Sequence, residues 1–116
     1  INCQNISRRV KPNYFAVIFT STLVDQNDPV YHKFSTQMQG EIQIIPGFLG
    51  METYREATGK GVTISYWESK KAIQQWKENA KHLLAQQYGK AHAYSRFEIK
   101  ICHVESAYEF KATDKN

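Results

Sequence analysis

The sequence has little of what marks several special classes of protein. Its 116 residues include only two cysteines, three prolines and six glycines. Cys3 and Cys102 are too few and too far apart to predict a disulfide framework, and the low proline and glycine content excludes collagen-like or low-complexity order. The sequence also lacks an apolar run of about 18 residues, so we expect no membrane-spanning helix. The length suits one domain with a single core.

The net charge of +4 is concentrated at the two ends of the chain. Residues 1–11 and 111–116 hold five of the basic residues and one of the acidic residues, which leaves ten of each sign between them. A nucleic-acid-binding domain concentrates basic residues on its folded surface, so we expect no nucleic-acid partner. The first residues lack the layout of a secretory signal, which together with the isolated cysteines favours a reducing, cytoplasmic location.

Periodicity predicts one domain over residues 14–110, between flexible tails at residues 1–13 and 111–116. Runs rich in aromatic and β-branched residues predict strands. Apolar residues at spacings of three and four predict two helices, the first beginning at Asp28-Pro29 and the second capped by Ser69. The strands are predicted at residues 14–22, 48–55, 62–67 and 96–110, and the helices at residues 28–45 and 69–88.

The predicted order is β-α-β-β-α-β, which indicates an α+β, ferredoxin-like fold with a four-stranded antiparallel sheet. Two helices would cover one face of this sheet. The first strand is apolar on both faces, so the second sheet face also needs cover. The last strand is too long for a compact domain, and we expect a bulge near Ile101-Cys102. These features predict a homodimer, a dimeric α+β barrel that joins two sheet faces and exchanges the C-terminal strands.

Three segments carry a resemblance to a known family. Residues 46–52 read PGFLGME and lead a predicted strand, and residues 64–69 read ISYWES before the second helix. That helix carries an A-x-x-x-W spacing from Ala72 to Trp76. In combination these segments resemble the antibiotic biosynthesis monooxygenase-like family of dimeric α+β barrels over about residues 14–110. The resemblance implies a homodimer with a pocket between sheet and helices that binds a flat, electron-rich ligand.

The resemblance also implies a substrate that activates O2 itself once deprotonated, with no metal or flavin cofactor. Such a site needs a proton acceptor and hydrogen-bond donors for a developing oxyanion in dry, aromatic surroundings. We therefore predict a cofactor-independent monooxygenase that acts on a small aromatic or quinol-type ligand. Its catalytic candidates are Trp76, His82 and Arg55. Its ligand-binding candidates are Tyr54, Tyr66, Trp67, Asn79 and Ser21.

Several of these residues also have structural interpretations. Trp76 lies on the apolar stripe of the second helix and could belong to the core, and Trp67 could be a packing plug at a strand end. On one continuous helix His82 lies about 240° round the axis from Trp76, which fits an exposed or helix-terminal histidine. We predict no metal site, because metal-ligand spacing is missing from the other three histidines, His32, His92 and His103.

Two other functions remain open for this fold. A non-catalytic dimeric ligand-binding or stress-related protein would keep the barrel without the chemistry, and would have a filled pocket. A haem-degrading monooxygenase is disfavoured, because the resemblance places an asparagine where Ser21 stands and an iron-ligating histidine where Gln86 stands. Glutamine is a poor iron ligand beside imidazole.

Overall fold

The computed structural model describes residues 13–112, apart from the side chains of residues 80 and 81. Four strands and three α-helices follow one another along this part of the chain in the order β-α-β-β-α-α-β. The strands are β1 (Tyr14–Leu23), β2 (Phe48–Arg55), β3 (Lys60–Trp67) and β4 (Tyr94–Val104). The helices are α1 (Pro29–Ile42), α2 (Lys70–Lys77) and α3 (Ala80–Tyr88), and a π-helical turn, Gly89–Ala93, joins α3 to β4.

The strands form one antiparallel sheet in the order β2-β3-β1-β4. This confirms the predicted ferredoxin-like α+β fold, with β2 and β4 at the two edges. The register places Ser21 opposite Gly61, and Gly61 opposite Arg55. Because side chains alternate along a strand, Ser21 and Arg55 project from the same face as Phe15, which packs against the core under the helices.

Both predicted helix starts are confirmed. The Asp28 carboxylate accepts the backbone N–H of Val30 at 2.9 Å and that of Tyr31 at 3.2 Å. The Ser69 hydroxyl accepts the backbone N–H of Ala72 at 3.1 Å. Each cap satisfies N–H groups that the first turn of a helix leaves without an intrahelical partner.

The hydrophobic core lies between one end of the sheet and the helices, and we call this region the Trp67 end. Its buried centre consists of Ile42, Trp67 and Ala72. Gly47 allows close approach here, because a Cβ at this position would lie 2.7 Å from the Cβ of Ala72. The partly buried residues that pack around this centre are Phe15, Val17, Ile45, Phe48, Met51, Ile73 and Trp76.

The last strand differs from its prediction in length and in register. β4 ends at Val104 and not at residue 110, because Val104 pairs with Tyr14, the residue at which β1 begins. The predicted bulge at Ile101-Cys102 is wrong, since the pairing with β1 runs unbroken through both residues. The irregularity lies instead between Thr22 and Leu23, where the π-helical turn leads into β4.

The sheet face opposite the helices carries partly exposed apolar side chains, among them Ile18, Val62 and Ile64. Its cover by a second copy of the chain stays a prediction. Most of the two predicted tails, residues 1–12 and 113–116, lies outside the described residues. Within residues 13–112, no helix combines the length and the apolarity needed to cross a membrane.

Candidate functional site

The structure distributes the eight predicted site residues over separate regions. One group lies at the junction of α2 and α3. A second lies on the helix-covered face of the sheet, at the end of β3 that is farther from Trp67. A third lies on the opposite face of the sheet. The three groups are Trp76, His82 and Asn79; Arg55 and Ser21; and Tyr54 and Tyr66, with Trp67 itself in the core.

A break in the second predicted helix brings His82 onto Trp76. Lys77 ends α2, and the side-chain oxygen of Asn79 accepts the backbone N–H of His82 at 3.1 Å, so that Asn79 caps the first turn of α3. The two rings then stack with their centroids 4.3 Å apart and their planes 15° apart. The continuous helix that would separate these residues is therefore a wrong prediction, and the predicted ligand-binding residue Asn79 has a capping role.

The His82 imidazole lies in an environment that favours its neutral form. Its Nδ1 lies 3.0 Å from the backbone carbonyl oxygen of Trp76. A carbonyl oxygen can only accept, so this contact favours the neutral tautomer that carries its proton on Nδ1 and leaves Nε2 as the basic nitrogen. The side-chain nitrogen of Gln86 lies 3.2 Å from the same Nδ1. Burial lowers the pKa of His82, and the bond to the Trp76 carbonyl opposes this shift more weakly. A neutral imidazole on an indole face can accept a proton from a bound ligand.

Trp67 has the position of a core residue. Its side chain is fully buried, and its indole N–H donates to the Ser65 hydroxyl at 2.9 Å. Its ring meets that of Phe48 edge to face, with centroids 5.3 Å apart. The packing interpretation of Trp67 accounts for all of these contacts, and the structure gives it no surface toward a ligand.

Arg55 crosses the sheet to reach Ser21. Its guanidinium donates to the Ser21 hydroxyl at 3.0 Å, to the Ser21 carbonyl at 3.4 Å and to the Gly59 carbonyl at 2.6 Å. Gly61 lies between them on β3, and a Cβ there would come within 2.8 Å of the guanidinium carbon. The missing side chain at Gly61 thus lets the cation lie across β3, over a serine that is completely buried.

Four aromatic rings surround the region next to Ser21, and sequence reasoning missed them. Tyr94 lies at the centre, with ring centroids 5.4 Å from Phe19, 5.8 Å from Tyr31 and 5.9 Å from Phe97. Gly89 makes room for it, because a Cβ there would lie 2.8 Å from the Tyr94 ring. We call these four rings together with Arg55 and Ser21 the Tyr94 end of the sheet.

The Tyr94 hydroxyl stays protonated over the physiological pH range. Burial is the main cause that raises the pKa of Tyr94, and a hydrogen bond with the Tyr31 side chain adds to it. The positive charge of Arg55 acts weakly in the opposite direction on the pKa of Tyr94. The Tyr94 end therefore combines a cation and neutral hydroxyl donors under aromatic rings, an arrangement suited to an oxyanion.

The sequence contains only a weak signal for this group. Residues 90–94 match neither the helical nor the strand period, and they form the π-helical turn and the first residue of β4. Tyr31 belongs to the apolar stripe of the first helix and is predicted as core. A π-helical turn is often found near functional sites, but its position depends on tertiary packing that a single sequence does not show.

Tyr54 and Tyr66 lie on the sheet face away from the helices, and both bind Glu52. Tyr54 donates to one carboxylate oxygen at 3.1 Å and Tyr66 to the other at 3.4 Å. The bond to Glu52 is the main cause that raises the pKa of Tyr54, and burial is the main cause for Tyr66. A groove of about 420 Å³ runs beside them, lined by Thr20, Tyr54, Arg55, Glu56, Lys60, Gly61 and Val62. These phenols are therefore separated from His82 by the sheet.

The described residues offer no obvious ligands for a metal ion. Over residues 13–112, no group of three or more histidine, cysteine, aspartate or glutamate side chains is arranged to hold a metal.

Comparison with known proteins gives a consistent result. The family model described as "Antibiotic biosynthesis monooxygenase" matches residues 15–88. The chain is 36% identical over 100 residues to the uncharacterised protein YqjZ of Bacillus subtilis, and this alignment covers 86% of this chain and 87% of that protein. It is 23% identical over 95 residues to a jasmonate monooxygenase of Pyricularia oryzae, and this alignment covers 80% of this chain but only 44% of that protein.

The fold is also shared with solved structures. SnoaB of Streptomyces nogalater, a cofactor-independent oxygenase, matches with a TM-score of 0.69 at 13% identity, over 82% of this chain and 96% of that chain. Identity this low shows a common fold and leaves the substrate of the present chain open.

Proposed function

Because this chain belongs to the antibiotic biosynthesis monooxygenase family, we propose that it is a cofactor-independent monooxygenase that oxidises a small aromatic or quinol-type substrate with O2. The observation that carries this proposal is the partly buried His82 imidazole, whose ring centroid lies 4.3 Å from that of Trp76 in a stacked arrangement. It joins a flat aromatic surface to a proton acceptor held in its neutral form. The name of the solved relative SnoaB supports the same class of reaction.

The chemistry requires the substrate to lose a proton before it meets O2. A hydroquinone becomes a much better electron donor as an anion, and a neutral imidazole can take that proton. A hydroquinone and O2 then give a hydroxyquinone and water, so that one oxygen atom enters the ring and the other leaves as water. All the electrons come from the substrate, which is why the proposal needs no added cofactor. Trp76 would orient the ring beside His82, whereas Arg55 lies with Ser21 at the other end of β3 and takes no part in this step.

The proposal is tested by oxygen uptake with a panel of hydroquinones, measured against autoxidation without protein. We expect uptake above that background after treatment with EDTA, and one atom of label in the product when ¹⁸O2 is used. His82→Gln removes the proton acceptor and should lower the rate about 100-fold. His92→Gln changes an exposed histidine and serves as the matched control. Uptake no faster than autoxidation across the panel, or uptake that needs one added metal, would contradict the proposal.

We further propose that the protein is a homodimer that joins the two uncovered sheet faces. The partly exposed Ile18, Val62 and Ile64 on this face favour cover by a second copy. Tyr108 and Phe110 follow β4 and are 73% and 69% exposed, which supports a C-terminal segment that reaches a partner. Sedimentation should give about twice the 13.5 kDa chain mass at micromolar concentration. A stable monomer would contradict this assembly.

A non-catalytic ligand-binding protein is the second candidate, and one observation favours it. Several predicted site residues have structural partners: Asn79 caps α3, Trp67 is in the core and Arg55 bonds to Ser21 and Gly59. Such a protein would bind an aromatic ligand without consuming O2. Haem degradation has less support, because Gln86 lies 3.2 Å from His82 Nδ1 in the place where the resemblance puts an iron ligand. The oxygen-uptake measurement separates the two main candidates.

A further inference from the structure

The sheet face away from the helices carries opposite charges at its two edges. One row of paired residues crosses this face from Glu52 on β2, through Ile64 and Ile18, to Lys100 on β4. The register places these four side chains on the same face, because residues paired across neighbouring strands project to the same side. The row is therefore acidic at one edge, apolar in the middle and basic at the other edge.

A second row repeats this pattern four residues farther toward the turn between β2 and β3. The backbone N–H of Glu56 donates to the Lys60 carbonyl at 2.8 Å, which sets Glu56 beside Lys60 at the end of the hairpin. Lys60 pairs with Thr22, and Thr22 pairs with Arg96 on β4. The β2 edge thus presents carboxylates in the same two rows in which the β4 edge presents cations.

Two phenols hold the Glu52 carboxylate in place on this face. Tyr54 donates to one of its oxygen atoms at 3.1 Å and Tyr66 to the other at 3.4 Å. A carboxylate has about four lone-pair positions, so it can also accept from a cation. Lys100 is 60% exposed and bonds to Glu98 at 3.2 Å, and an ammonium group has three donors. Both groups can therefore take part in a further ion pair.

A two-fold axis can stack two aligned copies of this face in two ways. With the axis parallel to the strands, β2 lies over the partner's β4 and β1 lies over the partner's β3, and every row meets itself in reverse. With the axis perpendicular to the strands, each edge lies over its own copy. The first arrangement sets acidic edges against basic edges, whereas the second sets the carboxylates of β2 against one another, which is unfavourable.

We propose that two copies of the chain join these faces with the two-fold axis parallel to the strands, so that Glu52 pairs with the partner's Lys100. Glu56 meets the partner's Arg96 in the same way. Because a two-fold interface is isologous, each of these ion pairs occurs twice in the dimer. This inference rests on the proposed homodimer and deepens it, because it names the orientation of the two copies and the charged residues that select it.

The rest of the face fits the same orientation. Ile18 lies over the partner's Ile64, which brings the apolar centres of the two faces together. Glu98 shares a row with Tyr54, so this carboxylate meets a neutral phenol of the partner and not a second carboxylate. Burial of the apolar centre favours association, and the charged edges determine the orientation.

Charge reversal tests this orientation. Glu52→Lys and Lys100→Glu each place like charges together twice in the homodimer, and each should weaken it by about tenfold or more in sedimentation equilibrium. An equimolar mixture of the two variants restores both ion pairs in a heterodimer. With one variant labelled with ¹⁵N, native mass spectrometry should show this heterodimer as the main dimer, at an affinity within about threefold of the unaltered protein.

The controls reverse the same charges on the helix layer. Lys71 on α2 and Glu78 at its C-terminus are exposed, so Lys71→Glu and Glu78→Lys should leave the dimer affinity within about twofold. High salt screens repulsion between exposed charges and should recover part of the affinity lost in Glu52→Lys and Lys100→Glu. Formation of the heterodimer shows in addition that both sheet-face variants are folded.

The outcomes separate this inference from the homodimer on which it rests. Homodimers of Glu52→Lys and Lys100→Glu as tight as the unaltered one, or a mixture that forms heterodimer only in the random proportion, would overturn the orientation and keep the homodimer. Preferential pairing of Glu52→Lys with the unaltered chain would overturn it in favour of β2 lying over the partner's β2. An unaltered protein that is monomeric at micromolar concentration would overturn both.

Discussion

The two ends of the helix-covered sheet face share the same strands but differ in what they enclose. At the Trp67 end, apolar side chains fill the space, and the indole N–H of Trp67 is satisfied by Ser65. At the Tyr94 end, the same strands β1 and β3 place a cation and hydroxyl groups beneath aromatic rings. Phe15 and Ser21 are only six positions apart on β1, so the change occurs within one strand.

This difference indicates that the two ends of the sheet contribute unequally to the stability of the folded state. Close packing of apolar side chains stabilises the folded state, and the Trp67 end is arranged that way. A cation whose bonds all go to neutral groups stabilises it less than apolar residues of similar volume would. The Tyr94 end is therefore expected to contribute less to the stability of the folded state than the Trp67 end. Substitutions at the two ends test this difference.

The largest expected effect is on stability at the Trp67 end. Trp67→Ala removes a fully buried indole and should lower the free energy of unfolding by about 3–5 kcal/mol. Tyr94→Phe removes only a hydroxyl group and should cost about 1 kcal/mol. Urea denaturation followed by circular dichroism measures both without relying on tryptophan fluorescence. A loss in Tyr94→Phe as large as that in Trp67→Ala would mean that the Tyr94 end is ordinary core.

An intermediate effect is expected where Gly89 supports Tyr94. Gly89→Ala places a Cβ 2.8 Å from the Tyr94 ring, so the ring must shift, at a cost of about 1–3 kcal/mol. Thermal unfolding of Gly89→Ala beside the unaltered protein measures this loss.

Gly40→Ala is the matched control for that change. A Cβ at Gly40 has no atom within 4 Å, and the residue lies inside α1, so alanine should stabilise the protein by about 1 kcal/mol. If Gly89→Ala is as stable as the unaltered protein, the Tyr94 ring does not depend on the space that Gly89 leaves.

The fold could be predicted from the sequence because its signals are local and repeated. Asp28-Pro29 and Ser69 mark helix starts that the structure confirms. The break between α2 and α3 could not be predicted from periodicity, because the apolar stripe continues across Asn79. For the same reason the sequence does not predict that His82 stacks on Trp76.

The candidate site could be predicted only in part, because it depends on contacts between distant segments. Arg55 and Ser21 were both named, but their contact spans 34 positions and is made possible by the missing side chain of Gly61. Tyr94 was missed, since its role follows from a π-helical turn that no period in the sequence reveals. The type and spacing of residues thus predict several members of the candidate site. Only the register of the strands shows which of these residues contact each other.

The smallest expected effect concerns pH, and it tests whether His82 at the Trp67 end is held neutral. Burial lowers the pKa of His82 from an ordinary value of 6.5, so the unfolded chain binds more protons than the folded one once the pH falls below about 6.5. Unfolding free energy should therefore be lower at pH 5.5 than at pH 7.5, and His82→Gln should reduce this difference. Asp28, whose pKa is lowered mainly by the Tyr88 hydroxyl, contributes only at more acidic pH. A pH dependence that is the same in His82→Gln as in the unaltered protein would mean that partial burial against Trp76 does not hold His82 neutral.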